Sequence, residues 1–147
     1  MGAMKIYLAG PLFSTAEREF NARLAQELRQ RGFEVFLPQE SEQASMTPRQ
    51  IFQEDVRGID WADVVVANMD GPDPDSGTCW ELGYAYGKGK PQVVYRTDFR
   101  LFEGNDKINL MMTESADHVI IMPKADVAGL AGEIAKRLDE VVPGKRG

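Results

Sequence analysis

Residues 63–68 (DVVVAN) set the tightest constraint on the fold. Three consecutive valines lose side-chain freedom in a helix, and no polar residue alternates with them to face water. Such a run reads as a central strand buried on both faces, which needs a covering layer above and below the sheet. The flanking sequence supplies those layers. Residues 5–9 (KIYLA) are a second apolar run, ending at the turn Gly10-Pro11. Ser14-Thr15-Ala16-Glu17 has capping-box spacing, Phe20, Leu24 and Leu28 recur at helical spacing behind it, and Gly32 closes that helix as its C-cap. Residues 33–37 (FEVFL) alternate as a strand up to Pro38, and residues 39–46 read as a polar loop. Thr47 and Gln50 form a second capping box with Pro48 at the first helical position, and this helix carries Ile51, Phe52, Val56 and Ile59 to near Trp61.

Beyond the valine run, a loop over 69–75 holds Pro72 and Pro74, and residues 76–87 read as a helix despite Gly77 and Gly83. Strands are expected over 92–96 and 118–122, with a loop over 97–106, a short helix over 108–115 and a final helix over 127–141. Five strands alternating with helices imply a parallel sheet with helices on both faces, in one domain over residues 1–147. Met1-Gly2-Ala3 reads as an addition ahead of a natural start at Met4. Ligands of such folds sit beyond the carboxyl ends of the strands, so loops 10–14, 38–42, 69–81 and 97–109 are the expected site builders.

Charge and composition narrow the function. With 17 Lys+Arg against 23 Asp+Glu, the net charge of −6 argues against a nucleic-acid partner, which requires clustered cations. The longest uncharged stretch, from Ile6 to Ala16, is 11 residues, too short for a membrane span, and no signal-peptide pattern opens the chain. The expected location is cytoplasmic. A single Cys and a single His provide neither a disulfide framework nor a metal-ligand spacing, so no metal and no cofactor is expected.

The chemistry concentrates around Asp75-Ser76-Gly77-Thr78-Cys79-Trp80-Glu81-Leu82-Gly83. Asp75 suits a helix N-cap, Gly77 leaves room for a ligand, and Glu81 stands among apolar neighbours, where a carboxylate is costly unless paired or employed. It reads either as a half-exposed helix Glu or as a working acid. Asp55, flanked by Ile51 and Ile59 at i−4 and i+4, falls on the apolar stripe of its helix, whereas Glu54, Arg57 and Asp60 read as a solvated face. Two carboxylates directed at one crevice suit acid and nucleophile roles in cleaving a glycosidic bond. The first loop lacks a phosphate-binding glycine pattern, and its Leu12 and Phe13 suit either the flat face of a base or plain packing. His118, Cys79 and the pair Met111-Met112 read as structural, the methionines as core.

Four segments together resemble the nucleoside 2-deoxyribosyltransferases. They are Lys5-Ile6-Tyr7-Leu8-Ala9-Gly10-Pro11, the stretch from Asp55 to Asp63 (DVRGIDWAD), Asp75-x-Gly77-x-x-x-Glu81-Leu82-Gly83-Tyr84-Ala85, and Ile108-Asn109-Leu110-Met111. The resemblance implies a flavodoxin-like fold and exchange of the base of 2′-deoxynucleosides by double displacement. It assigns Glu81 as the nucleophile at C1′ and Tyr7 as the residue that holds it. Asp55 and Asp75 match the aspartates that protonate and orient the base and bind the sugar. Asn109 matches an Asn reaching the 5′-hydroxyl from the neighbouring subunit, which implies a homo-oligomer. Gly10, Gly77 and Phe13 are expected substrate contacts. Gln39, in Pro38-Gln39-Glu40-Ser41 where the family often has Asp-Asn or Asn-Gln, is expected to read the base edge with its amide.

The substrates so implied are deoxynucleosides and free bases. Two further readings remain: hydrolysis of deoxynucleoside 5′-monophosphates to base and sugar phosphate, and a nucleoside-sensing module without chemistry.

Overall fold

The computed structural model describes residues 2–100 and 108–141. Five parallel strands, β1 (Lys5–Ala9), β2 (Glu34–Phe36), β3 (Val64–Asn68), β4 (Gln92–Arg96) and β5 (His118–Ile121), form one sheet in the order β2-β1-β3-β4-β5. This is the flavodoxin-like order, as expected from the alternation of strands and helices. Helices α1 (Thr15–Gln30), α2 (Pro38–Ser41), α3 (Pro48–Trp61), α4 (Ser76–Gly87), α5 (Leu110–Ser115) and α6 (Val127–Leu138) complete the chain.

The period-two rule divides the core. Ile6 and Leu8 of β1, Val64 and Val66 of β3, and Val93 and Tyr95 of β4 face α1 and α6. Tyr7, Ala9, Val65, Ala67 and Val94 face the other way, against Ile59 of α3 and Leu82 and Ala85 of α4. All five β3 residues are buried. Register fixes Tyr7 beside Val65 on one side and beside Phe36 on the other. Both capping boxes form: Ser14 accepts from the Glu17 amide at 3.1 Å and Thr47 from the Gln50 amide at 3.2 Å.

Several expectations need correction. The C-cap of α1 is Arg31, with Gly32 one step beyond at φ +95°, where a side chain would be strained. The polar loop over 39–46 opens with the single turn α2, started by Pro38 at its first position. Helix α5 begins at Leu110 because Asn109 is its N-cap, accepting from the Met111 amide at 2.9 Å. Met111 is 69% exposed rather than core, because α5 turns that side away from the sheet, and only Met112 packs inward. The loop over 98–107 lies in large part outside the described residues. Among the described residues no helix is long and apolar enough to cross a membrane.

Candidate active site

The strand order reverses between β1 and β3, and the crevice expected there is present. A cavity of about 350 Å³ opens beyond the strand ends. The loop after β1 contributes Gly10, Leu12 and Phe13, and Pro38 and Glu42 come from either end of α2. Helix α3 presents Phe52, Asp55, Val56 and Ile59, while Asp75, Gly77, Trp80 and Glu81 come from the start of α4. Among the described residues, three of the four expected loops therefore build it.

Tyr7 is fully buried at the centre of the sheet, and its hydroxyl donates to Oε2 of Glu81. Burial, then the charges of Glu81 and Asp55, push the phenol far above its ordinary pKa, so it stays protonated and acts only as a donor. The Glu81 carboxyl is pushed up to about 8. Burial is the main cause, the charges of Asp55 and Asp75 add to it, and the Tyr7 hydrogen bond works against it. Asp55 rises to about 6, through burial and the nearby charges of Glu42 and Glu54. Two carboxyls in one cavity thus both titrate near neutrality, the pattern of an acid–base pair.

Asp75 caps α4 as expected, accepting from the Thr78 amide at 3.0 Å and the Thr78 hydroxyl at 2.9 Å. These bonds fix its carboxylate at the cavity wall. Gly77 is open toward the cavity, and a Cβ there would meet Asp75 Oδ2 at 3.3 Å. Gly10 has a similar reason, since a Cβ would meet the Asn68 side chain at 3.1 Å. Phe13 is 77% exposed, so its ring stands at the cavity mouth rather than packing beneath the loop.

Tyr7 reaches the cavity only through Glu81, and two further expected site residues are not brought to it. Gln39 spends both ends of its amide elsewhere: Oε1 accepts from Asn21 at 3.1 Å and Nε2 donates to the Arg18 carbonyl at 2.9 Å. Asn109 caps α5 and lines no part of this cavity. Cys79 is half-buried with its thiol pushed up by burial, and His118 lies 3.5 Å from Glu140, both structural placements.

Phe52 lies outside the loops expected to build the site, and Trp80 and Glu42, though inside loops 69–81 and 38–42, were not singled out as cavity residues. The rings of Phe52 and Trp80 meet edge to face at 5.3 Å between centroids, bridging α3 and α4, and are 43% and 49% exposed. Phe52 at i−3 from Asp55 was legible as its neighbour on one helix face, but a residue just before Glu81 should have pointed elsewhere. Nothing in the polar segment over 39–46 singled out Glu42.

The fold and this site define an α/β domain with a buried tyrosine–carboxylate pair and a second carboxyl at the topological switch point. The sequence matches the family described as Nucleoside 2-deoxyribosyltransferase over residues 6–133, and the chain belongs to that family. It is similar, at 29% identity over 96% of both chains, to a protein of Thermofilum pendens that carries the name of a 2′-deoxynucleoside 5′-phosphate N-hydrolase. Among solved structures it is similar to the 2-deoxyribosyltransferase of Bacillus psychrosaccharolyticus, with 30% identity, a TM-score of 0.68, and 86% of this chain and 90% of that one covered. A conserved protein of Enterococcus faecalis matches at 29% identity and a TM-score of 0.75, over 92% of this chain and 99% of that one. The family acts on N-glycosidic bonds.

Proposed function

We propose that the protein exchanges the base of 2′-deoxynucleosides, with Glu81 as nucleophile and Asp55 as acid and base. The Glu81 carboxylate attacks C1′ as the bond from C1′ to the base nitrogen breaks, and the departing base takes the Asp55 proton. The result is a deoxyribosyl ester of Glu81. An incoming base then gives a proton to Asp55, attacks C1′ and releases Glu81, so two inversions retain configuration. Tyr7 orients the carboxylate, and Asp75 is placed for a sugar hydroxyl. Asn109 serves the 5′-hydroxyl of a neighbouring subunit's site in a homo-oligomer.

The observation that carries transfer from nucleosides, rather than hydrolysis of nucleotides, is the charge of the cavity wall. Among the described residues Glu42, Asp55, Asp75 and Glu81 line it, and no Lys or Arg does. The first loop offers a phosphate little more, because the Glu17 carboxylate already takes the Phe13 amide at 3.1 Å and the Ser14 amide at 2.8 Å. A dianionic 5′-phosphate is therefore disfavoured against a neutral nucleoside. Deoxyinosine with free adenine, and separately a deoxynucleoside 5′-monophosphate alone, test this by chromatography. New deoxyadenosine is expected. Base release from the monophosphate alone would establish the hydrolase instead, and no reaction in either arm would leave a sensing module.

A further inference from the structure

Gly58 lies inside α3, where a glycine destabilises a helix relative to Ala and where its conformation is one any residue adopts. Space, not backbone freedom, explains it. A Cβ at position 58 would stand 2.8 Å from Cδ1 and Cε1 of Phe36 and 2.9 Å from its Cζ, closer than carbon atoms tolerate. Phe36 in turn lies across the β1–β2 ladder from Tyr7, and their rings stack at 5.4 Å with planes 14° apart. Trp61, about one turn beyond Gly58, also packs on Phe36, with ring centroids 6.5 Å apart and planes tilted by 52°. The Phe36 ring is thus held between the backbone of α3 and the phenol that carries the Glu81 hydrogen bond.

From this packing we infer that Gly58 and Phe36 are positioning residues for the reaction, setting the Tyr7 hydroxyl on Glu81. The inference rests on reading Glu81 as the nucleophile. A side chain at 58 must displace either the Phe36 ring, and with it the support of Tyr7, or α3, which carries Asp55 into the cavity. Neither residue itself lines the cavity, so the effect is on rate and not on substrate affinity.

The test compares Gly58→Ala, Phe36→Leu, the double variant and Tyr7→Phe in the full chain, by kcat, KM and the pH dependence of kcat/KM for base exchange. Gly58→Ala is expected to lower kcat at least tenfold with KM changed less than about twofold. Because Glu81 carries the higher of the two pKa values, the falling limb of its pH profile should move to higher pH, as in Tyr7→Phe, since a weaker donor stabilises the Glu81 anion less. In the Phe36→Leu background, which frees the space, the same substitution should cost less than about threefold. Wild-type kcat and profile in Gly58→Ala would overturn the inference, as would an undiminished loss in the Phe36→Leu background. Should Gly58→Ala fail to fold, Phe36→Leu alone decides, since an unmoved limb there refutes support of Tyr7. If the wild type exchanges no bases, the functional reading fails first. If it does, and only Tyr7→Phe moves the limb, the positioning role alone falls.

Discussion

Glu81 holds its proton to about pH 8 because burial disfavours its charge more than the Tyr7 hydroxyl restores it. The nucleophile must be ionised and Asp55, near 6, must be protonated, so kcat/KM should follow a bell between limbs near 6 and 8. Asp55→Asn, assayed with a nucleoside whose base leaves unprotonated, should replace the bell by one rising limb set by Glu81 alone. That limb should lie below 8, because the Asp55 charge no longer holds the Glu81 pKa up; a limb still at 8 would contradict the coupling. The same shift bears on stability. A carboxyl whose pKa is raised on folding contributes stability that is full below its unfolded value near 4.5 and is lost as pH rises through about 8. Glu81→Gln should therefore melt near wild type at pH 4.5 and above it at pH 9, by ~1–3 kcal/mol or several degrees in thermal unfolding.

Helices α3 and α4 bring the remaining groups to the cavity, and the pair Phe52 and Trp80 joins them at its mouth. A planar base against these rings gains stacking energy, so Trp80→Ala should raise KM by about 5–30-fold, or ~1–2 kcal/mol, and leave kcat within about threefold. An unchanged KM would place the base elsewhere. These elements were also the most legible. Helix α4 and strands β1 and β4 lie where the apolar runs and glycines placed them, because capping boxes, prolines and β-branched runs are local signals. The turn α2 was not legible, since four residues carry no helical period. Gln39 escaped for a related reason: the alternative partners of its amide, Asn21 and the Arg18 carbonyl, are neighbours only once α1 has packed beside α2. Glu81 and Asp55 stood out because a charge on an apolar stripe is a local anomaly, whereas the Tyr7–Glu81 contact spans 74 residues of sequence and needed the family resemblance.

At the scale of the whole molecule, Asn109 is exposed and turned to its own helix cap, beside Leu110 and Met111, which present apolar side chains to solvent. Met111, together with Tyr86 and Met112, borders a groove between α4 and α5. Light scattering should find a dimer or larger multiple of 16.4 kDa, and a monomer across micromolar concentrations would remove the shared site. Mixing inactive Asn109→Ala and Glu81→Gln chains under exchange of subunits should then restore activity. The central claim remains the covalent step at Glu81, and it is tested most directly with a slow 2-fluoro-substituted deoxynucleoside, mass spectrometry and peptide mapping. The fluorinated sugar is expected on the peptide containing Glu81, released when a free base is added and absent from Glu81→Gln. Sugar on Asp55 or Asp75, or base exchange at a near-normal rate by Glu81→Gln, would contradict it.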